Sequence, residues 1–376
     1  MKIALVCKEY SLKKGGLERY TVSLSRELIR AGHEVHVFTN AWQEEPGVII
    51  HHVPMLRFSS PLKNLSFALF SNRALSKMSF NVIHSMERIF YQDIFRVSDG
   101  INPVQVLQQY PNFAVRLLKA IGPRRLTLSY LEHRIFVARG CKVIMTNSKL
   151  IKGHIIEYYR VAPQKVEVIY NGVNTLRFHP GVKEEYGAAV RSKYGIKENE
   201  LVLLFISNNF KLKRLQTILK SLALLKKREI KLLVVGNDSK RPYQRWVTEN
   251  VLDKQVLFLG PKKNIEKYYA ASDIFVLPTL YDAFANVCLE AMACGLPVIT
   301  TRNNGASELI QDGEHGFVLK GQEPDELAKR IEALRFPKAR TGMGEKAAKK
   351  AKEFNIERHI SEVLNLYDQV RGHGYE

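Results

Sequence analysis

Acids are scarce in this chain and cysteines scarcer. Against 57 lysines and arginines stand 37 aspartates and glutamates, a formal net charge of +20. A surplus of that size attracts polyanions: nucleic acid, an anionic membrane face or a phosphorylated glycolipid. The four cysteines, Cys7, Cys141, Cys288 and Cys294, form no C-x-x-C pair and sit among apolar residues. They read as buried free thiols in a reducing cytoplasm, which argues against a metal site. No run of 18 apolar residues occurs, so no membrane-spanning helix is expected. The segment Met1 to Cys7 is too short, and too soon followed by charge, for a signal peptide, and reads as an opening strand. There is no D-x-D and no zinc- or magnesium-ligand spacing. No G-x-G-x-x-G follows the first strand and no acid caps the second, which argues against a nicotinamide enzyme. A nucleic-acid-binding role, suggested by charge alone, lacks a zinc finger or an aromatic RNA-binding strand to support it.

What is present is alternation of strand and helix. Ile3–Cys7, Glu34–Thr39, Val82–His84 and Val143–Thr146 read as strands, and a helix carries the stripe Leu17, Tyr20, Leu24 and Leu28 up to Gly32. The second half repeats the pattern with strands Leu201–Ile206, Lys231–Val235, Val256–Leu259, Ile274–Leu277 and Pro297–Thr300, and helices Leu215–Lys227 and Ile265–Ala271. Such alternation implies parallel sheets with right-handed crossovers. The expected architecture is α/β: two Rossmann-like, doubly wound parallel-sheet domains, facing each other across a ligand cleft at the strands' carboxyl ends. The first domain spans residues 1–170 and the second 171–349, divided at an Asn171-Gly172 turn. A helix over about 350–376 is expected to pack back on the first.

The richest segment is Tyr281 to Ile299. It leaves a strand, turns through small residues into a helix expected to start near Phe284, and breaks at Gly295-Leu-Pro297 before another strand. Asp282 lies in the loop, and Glu290 interrupts an apolar helical run, where a carboxylate is costly unless it bonds something. Bare helix-end amides beside two carboxylates suit a ligand with both a phosphate and several hydroxyls, such as a nucleotide sugar. The alternative is a helix start with an incidental acid. Two other loops run from strand to helix. Lys14-Gly15-Gly16 lets backbone approach a ligand closely, or carries glycine for steric reasons alone. Ser207 to Arg214 places Lys213 near a helix start, where it either holds a diphosphate or is one more solvated lysine. Without a metal motif, a diphosphate would need protein groups to neutralise it.

Between Phe113 and Lys142 lie Arg116, Lys119, Arg124, Arg125, Arg134, Arg139 and Lys142, against the single acid Glu132. Interleaved are Phe113, Val115, Leu117, Leu118, Ile121 and Leu126, the mixed character of a surface-bound amphipathic helix. The alternative is a helix packed on its own domain.

These residues together, Gly15-Gly16, Asn171-Gly172-Val173, Lys213, Asp282 to Glu290 and Gly295-Leu-Pro297-Val298, resemble the retaining glycosyltransferases of family 4, with the GT-B fold. The details Ser207 to Phe210 with Lys213, and the region of Asp99, look most like the lipopolysaccharide core glucosyltransferases within it. The resemblance implies that the first domain binds the acceptor and the second the nucleotide sugar. Gly15 and Gly16 would approach the donor, Lys213 would hold its diphosphate, and Asp282 would stand near the transferred sugar. The backbone of Ala283, Phe284, Ala285 and Asn286 would contact sugar and phosphate, and Glu290 would bind the ribose. Asp99, with His84 as second choice, would line the acceptor side. The implied activity is transfer of a hexose, glucose first, from a UDP-sugar to a lipopolysaccharide core or related glycolipid. It would need no metal or other cofactor and would act at the inner face of the cell membrane, reached through the basic stretch 113–142. The chain departs from the family pattern at Asp282, where glutamate is usual, at Leu212, where a basic residue is usual, and at Arg214, where glycine is usual. A UDP-sugar epimerase of the same fold is the alternative enzyme.

Overall fold

Long apolar strands separated by helices leave the chain one way to bury its backbone, and both sheets show it. The computed structural model describes residues 1–12, 15–110, 112–138, 140–226 and 229–372. Lys14 of the first loop, Arg139 of the basic stretch and Lys227 at a helix end lie outside the described residues. The chain separates into two compact units: Met1–Tyr170 joined by the segment from His359 onward, and Asn171–Arg358.

In the first unit the strands are β1 (Lys2–Val6), β2 (Glu9–Tyr10), β3 (Glu34–Thr39), β4 (Ala41–Trp42), β5 (Val48–His52), β6 (Val82–Ser85), β7 (Gln92–Val97), β8 (Cys141–Thr146) and β9 (Val166–Val168). Seven of them form one sheet in the order β5-β3-β1-β6-β7-β8-β9, and β2 pairs with β4 apart from it. Every pairing is parallel, with Ile3 opposite Val35 and Val82. Ile3 to Val6 are fully buried, as a parallel strand covered on both faces requires. The helices are α1 (Gly16–Arg30), α2 (Ser60–Leu75), α3 (Asn102–Gln109), α4 (Phe113–Ala120), α5 (Pro123–Phe136) and α6 (Lys149–Tyr159). Ala4, Val6, Phe38, Phe67, Leu75 and Leu131 form one apolar cluster that joins the sheet to α2 and α5.

The second unit holds β10 (Leu201–Ile206), β11 (Ile230–Val235), β12 (Val256–Gly260), β13 (Ile274–Leu277), β14 (Val298–Thr301) and β15 (Gly316–Leu319), ordered β12-β11-β10-β13-β14-β15 and again all parallel. Its helices are α7 (Ala188–Lys193), α8 (Leu215–Leu225), α9 (Arg241–Glu249), α10 (Glu266–Ala270), α11 (Asn286–Ala293), α12 (Pro324–Ala333) and α13 (Pro337–Lys352). The last helix, α14 (Ile356–Gly372), buries His359, Ile360, Val363, Leu366, Tyr367 and Val370. Within the first unit its Tyr367 hydroxyl bonds His84 Nδ1 at 2.6 Å, and His359 bonds the Tyr170 carbonyl at 2.7 Å and the Tyr20 hydroxyl at 3.1 Å. No helix of the described residues is long and apolar enough to cross a membrane.

Two expectations change. Strands β2, β4, β5, β7 and β15 are not expected from the sequence, and the helix expected from Phe284 begins two residues later, at Asn286. The Asn171-Gly172 pair is not a turn. Val173 N–H donates to the Phe354 carbonyl at 2.9 Å and pairs with Asn355 as an isolated bridge. Gly172 is needed because two backbone segments cross here: a Cβ on it would lie 2.6 Å from the Asn355 oxygen and 2.7 Å from Ile356 Cα. Backbone cannot swing aside as a side chain can. Gly172→Ala is therefore expected to lower stability by about 1–3 kcal/mol in urea unfolding, and an unchanged midpoint would refute the crowding.

Candidate functional site

Parallel strands deliver their carboxyl ends to one edge of the second sheet, and neighbouring strands there are distant in sequence. β10 and β13 are adjacent, so the loops that follow them meet. The loop after β10 is held by side-chain bonds, two local and one to the loop after β11. Asn209 N–H donates to Ser207 Oγ at 2.8 Å, Leu212 N–H to Asn209 Oδ1 at 2.9 Å, and Phe210 N–H to Asp238 Oδ2 at 2.6 Å. The Leu212 carbonyl accepts from Leu280 N–H at 2.9 Å, which ties this loop to the one after β13. The fixed loop brings the Lys213 ammonium onto the Asp282 carboxylate in a direct ion pair, with the Tyr281 carbonyl at 3.5 Å. Both side chains are mostly covered, 15% and 21% exposed, so the pair is shielded yet reachable.

Asp282 is fixed from its own side as well. Its N–H donates to the Asn303 carbonyl at 2.9 Å, its carbonyl accepts from Gly305 at 3.0 Å, and its Oδ1 accepts from Phe284 N–H at 3.1 Å. A residue unassigned in the sequence reading organises this corner. Asn304 is fully buried; its Oδ1 accepts from Ala285 N–H and Ala306 N–H, each at 3.1 Å, and its Nδ2 donates to Thr300 Oγ1 at 3.0 Å and Cys288 Sγ at 3.3 Å. Burial pushes the Cys288 thiol up to about 12, so it remains a neutral packing group. The signal for Asn304 in the sequence was slight: Asn303-Asn304-Gly305 after a strand reads as any loop.

Of the backbone assigned to sugar and phosphate, the Phe284 and Ala285 amides already donate within the protein. Asn286 opens α11 with no side-chain cap, which leaves the positive end of the helix dipole uncovered. Asn171 Nδ2 donates to the Asn286 Oδ1 at 2.7 Å and orients that side chain. Gly295, in the left-handed region at φ 78°, ends α11: its N–H reaches the Met292 carbonyl at 2.9 Å and Leu296 N–H reaches Ala291 at 3.0 Å. Glu290, half-buried one turn along α11, accepts from the Tyr269 hydroxyl at 2.9 Å, and that hydroxyl also reaches the Val287 carbonyl at 3.1 Å.

In the first unit, Gly15 precedes α1 and Gly16 opens it, both exposed. Neither has a positive φ, a Cβ on Gly16 would meet nothing within 4 Å, and one on Gly15 would meet only the flexible end of Glu18. The fold itself therefore does not demand glycine at position 16. Asp99 follows β7, 64% exposed, with Arg88 at 3.5 Å. His84 is fully buried, and burial, with Arg96 and His359 nearby, holds its pKa well below the ordinary range. It is a core residue of the α14 contact, not a surface ligand.

The basic stretch is two helices with different roles. α5 packs on the domain through Leu128, Leu131, Ile135 and Phe136, whereas α4 buries none of its residues. Phe113, Leu117, Leu118 and Ile121 stand in solvent, each more than half exposed. The one acid, Glu132, is fully buried: it accepts from Arg88 Nε at 2.9 Å, the Tyr159 hydroxyl at 2.6 Å and the Asn102 N–H at 3.0 Å. The outer face of the stretch thus presents no acid.

Arg214, immediately after the lysine, sits in the left-handed region at φ 59°, a conformation that favours glycine. Its Nε is buried with no hydrogen-bond partner among the described residues. Arg214→Gly is expected to raise stability by about 1 kcal/mol through relief of that strain. Equilibrium denaturation checks it; a loss of stability would show that the arginine side chain outweighs its backbone cost.

Two family models match the chain, one described as glycosyl transferases group 1 over residues 188–350 and one described as Glycosyltransferase Family 4 over residues 14–177. The D-inositol 3-phosphate glycosyltransferase of Corynebacterium kroppenstedtii is 26% identical over 395 residues, covering 95% of this chain and 86% of that protein. Among solved structures, WaaG, a glycosyltransferase involved in lipopolysaccharide biosynthesis, superimposes with a TM-score of 0.83 at 21% identity, over 97% of this chain and 99% of that one. Anabaena Alr3699/HepE, solved in complex with UDP and glucose, gives a TM-score of 0.75 at 19% identity, over 98% and 100%. With matched models on both units and both sheets parallel, the chain belongs to the family 4 glycosyltransferases of the GT-B fold.

Proposed function

We propose that this glycosyltransferase moves a hexose, glucose first among candidates, from a UDP-sugar to a lipopolysaccharide core or related glycolipid at the inner membrane face. The observation that carries the donor half is the meeting of Lys213 and Asp282 beside the uncapped start of α11. An ammonium has three N–H donors. One is committed to Asp282 and a second reaches the Tyr281 carbonyl at 3.5 Å, which leaves the cation oriented with a donor for a phosphate oxygen. As the bond from sugar to diphosphate breaks, negative charge grows on the leaving phosphate, and Lys213 with the α11 amides is placed to stabilise it without a metal. Asp282 supports the positive charge that develops on the sugar ring. Glu290 offers its carboxylate to the ribose hydroxyls. Its partner Tyr269 keeps the Val287 carbonyl if Glu290 is removed, so this role separates from folding. The HepE complex with UDP and glucose supports a nucleotide-sugar donor. The name of WaaG supports the glycolipid acceptor, and the exposed basic, apolar α4 supports the membrane.

Lys213→Ala is expected to lower kcat for transfer from UDP-glucose about 10²–10³-fold, the cost of one preorganised donor to a developing anion. Glu290→Ala is expected to weaken UDP-sugar binding about 10–100-fold in calorimetry, with the melting temperature unchanged. Unaltered affinity in that variant refutes the ribose role. Wild-type protein that converts UDP-glucose to an epimer with no acceptor present is an epimerase and overturns the transfer reading. For the membrane, Leu117→Asp with Leu118→Asp should abolish sedimentation with anionic vesicles without changing the melting temperature, because α4 buries nothing in the fold. Full retention of vesicle binding would remove α4 from the role.

A further inference from the structure

Beside the end of α4 lies a pocket of about 280 Å³ whose lining includes Gln109, Tyr110, Lys119, Arg124 and Arg125. It closes where α3 ends, α4 ends and α5 begins, and no carboxylate lines it. Arg125 is fixed in it by three neutral acceptors: Asn102 Oδ1 at 2.8 Å, Gln105 Oε1 at 3.2 Å and Gln109 Oε1 at 3.0 Å. These bonds position the guanidinium but do not cancel its charge. Partial burial, with Arg124 beside it, holds its pKa below the ordinary arginine value, as expected for a cation among like charges. Glu132, the acid of this stretch, is turned inward and already bonded by Arg88, Tyr159 and the Asn102 amide. Lys119 and Arg124 are exposed, and neither has an ion-pair partner among the described residues.

Three cations converging on one concavity, one of them held rigid, match a compact dianion better than a diffuse negative surface. The surroundings say where that dianion comes from. Leu118, Ile121 and Leu126 flank the three cations in sequence, and each is more than half exposed. A soluble anion has no use for exposed apolar neighbours of this kind, whereas a lipid brings acyl chains with its headgroup. We propose that this pocket is a binding site for the phosphomonoester headgroup of an anionic lipid. The proposal rests on the membrane reading above and sharpens it from adsorption by summed charge to recognition of one headgroup.

The test compares binding of the full chain to phosphatidylcholine vesicles containing phosphatidic acid with binding to vesicles containing phosphatidylserine at matched surface charge. Wild-type protein should prefer phosphatidic acid by about tenfold, the worth of one well-made charge-assisted contact. The double variant Lys119→Gln, Arg124→Gln should lose that preference and retain its melting temperature. The charge-matched control Arg116→Gln, Arg134→Gln removes two cations of the same stretch that do not line the pocket. It should weaken binding to both vesicles while keeping the preference. A wild type that binds both vesicles equally, or a preference that survives in the Lys119, Arg124 variant, overturns the pocket but leaves the membrane reading intact. A wild type that binds neither overturns both. Inorganic phosphate that competes as well as dispersed short-chain phosphatidic acid overturns the lipid source.

Discussion

Parallel strand pairing is the constraint on which the rest of this structure depends. Every pair in both large sheets runs the same way, so each strand must be followed by a crossover before its neighbour can form. In each sheet the carboxyl ends then gather at one edge, together with the starts of the helices that leave it. Sheet order, not sequence order, decides which loops meet there. In the second unit β10, β13 and β14 are adjacent, so Lys213, Asp282 and Asn304 converge although Lys213 and Asp282 are 69 residues apart. The chemistry of the site is thus assembled by topology, and the local sequence supplies only the pins that hold each loop.

That division explains what could be read in advance. Strands β3, β10 and β13 coincide with the runs Glu34–Thr39, Leu201–Ile206 and Ile274–Leu277, because their side chains are apolar enough to announce themselves. β7 is as fully buried, yet it contains Gln92, Asp93 and Arg96. Each is accommodated by something distant: Gln92 donates to Gly140 at 2.6 Å, Asp93 accepts from Ile83 N–H at 2.8 Å, and Arg96 lies over the Tyr20 ring at 3.6 Å. A buried strand that sets polar side chains against distant tertiary neighbours carries no alternation to detect. Lys213, Asp282 and Glu290 were nameable from residue type and context. The ion pair between the first two was not, because it follows from strand order. Asn304 was invisible for the opposite reason, since it works through its amide inside the protein and looks like a loop residue.

Charge shows a related point. The basic stretch contains one acid in the sequence, and a balance sheet would count it against the cations. In the fold Glu132 faces inward and forms a buried pair with Arg88, at a desolvation cost offset by the Tyr159 hydroxyl and the Asn102 amide. What the solvent meets is therefore more positive than composition suggests. The same stretch divides into a packed α5 and an α4 of eight residues, too short to be stable by itself in water. Amphipathic patterning is marked in α4 and almost absent from α5, yet it is α5 that packs and α4 that buries nothing.

The return of α14 to the first sheet bears on the order in which the protein can be made. Residues 171–358 form the second unit as one uninterrupted stretch, whereas the first unit needs Tyr367 against His84 and His359 against Tyr20 and Tyr170. A chain emerging from the ribosome therefore presents the whole second unit before the helix that completes the first has been synthesised. Until then the side chains destined to meet α14 on the first sheet remain uncovered. The unit begun first is the one finished last, and chaperone dependence should fall on it.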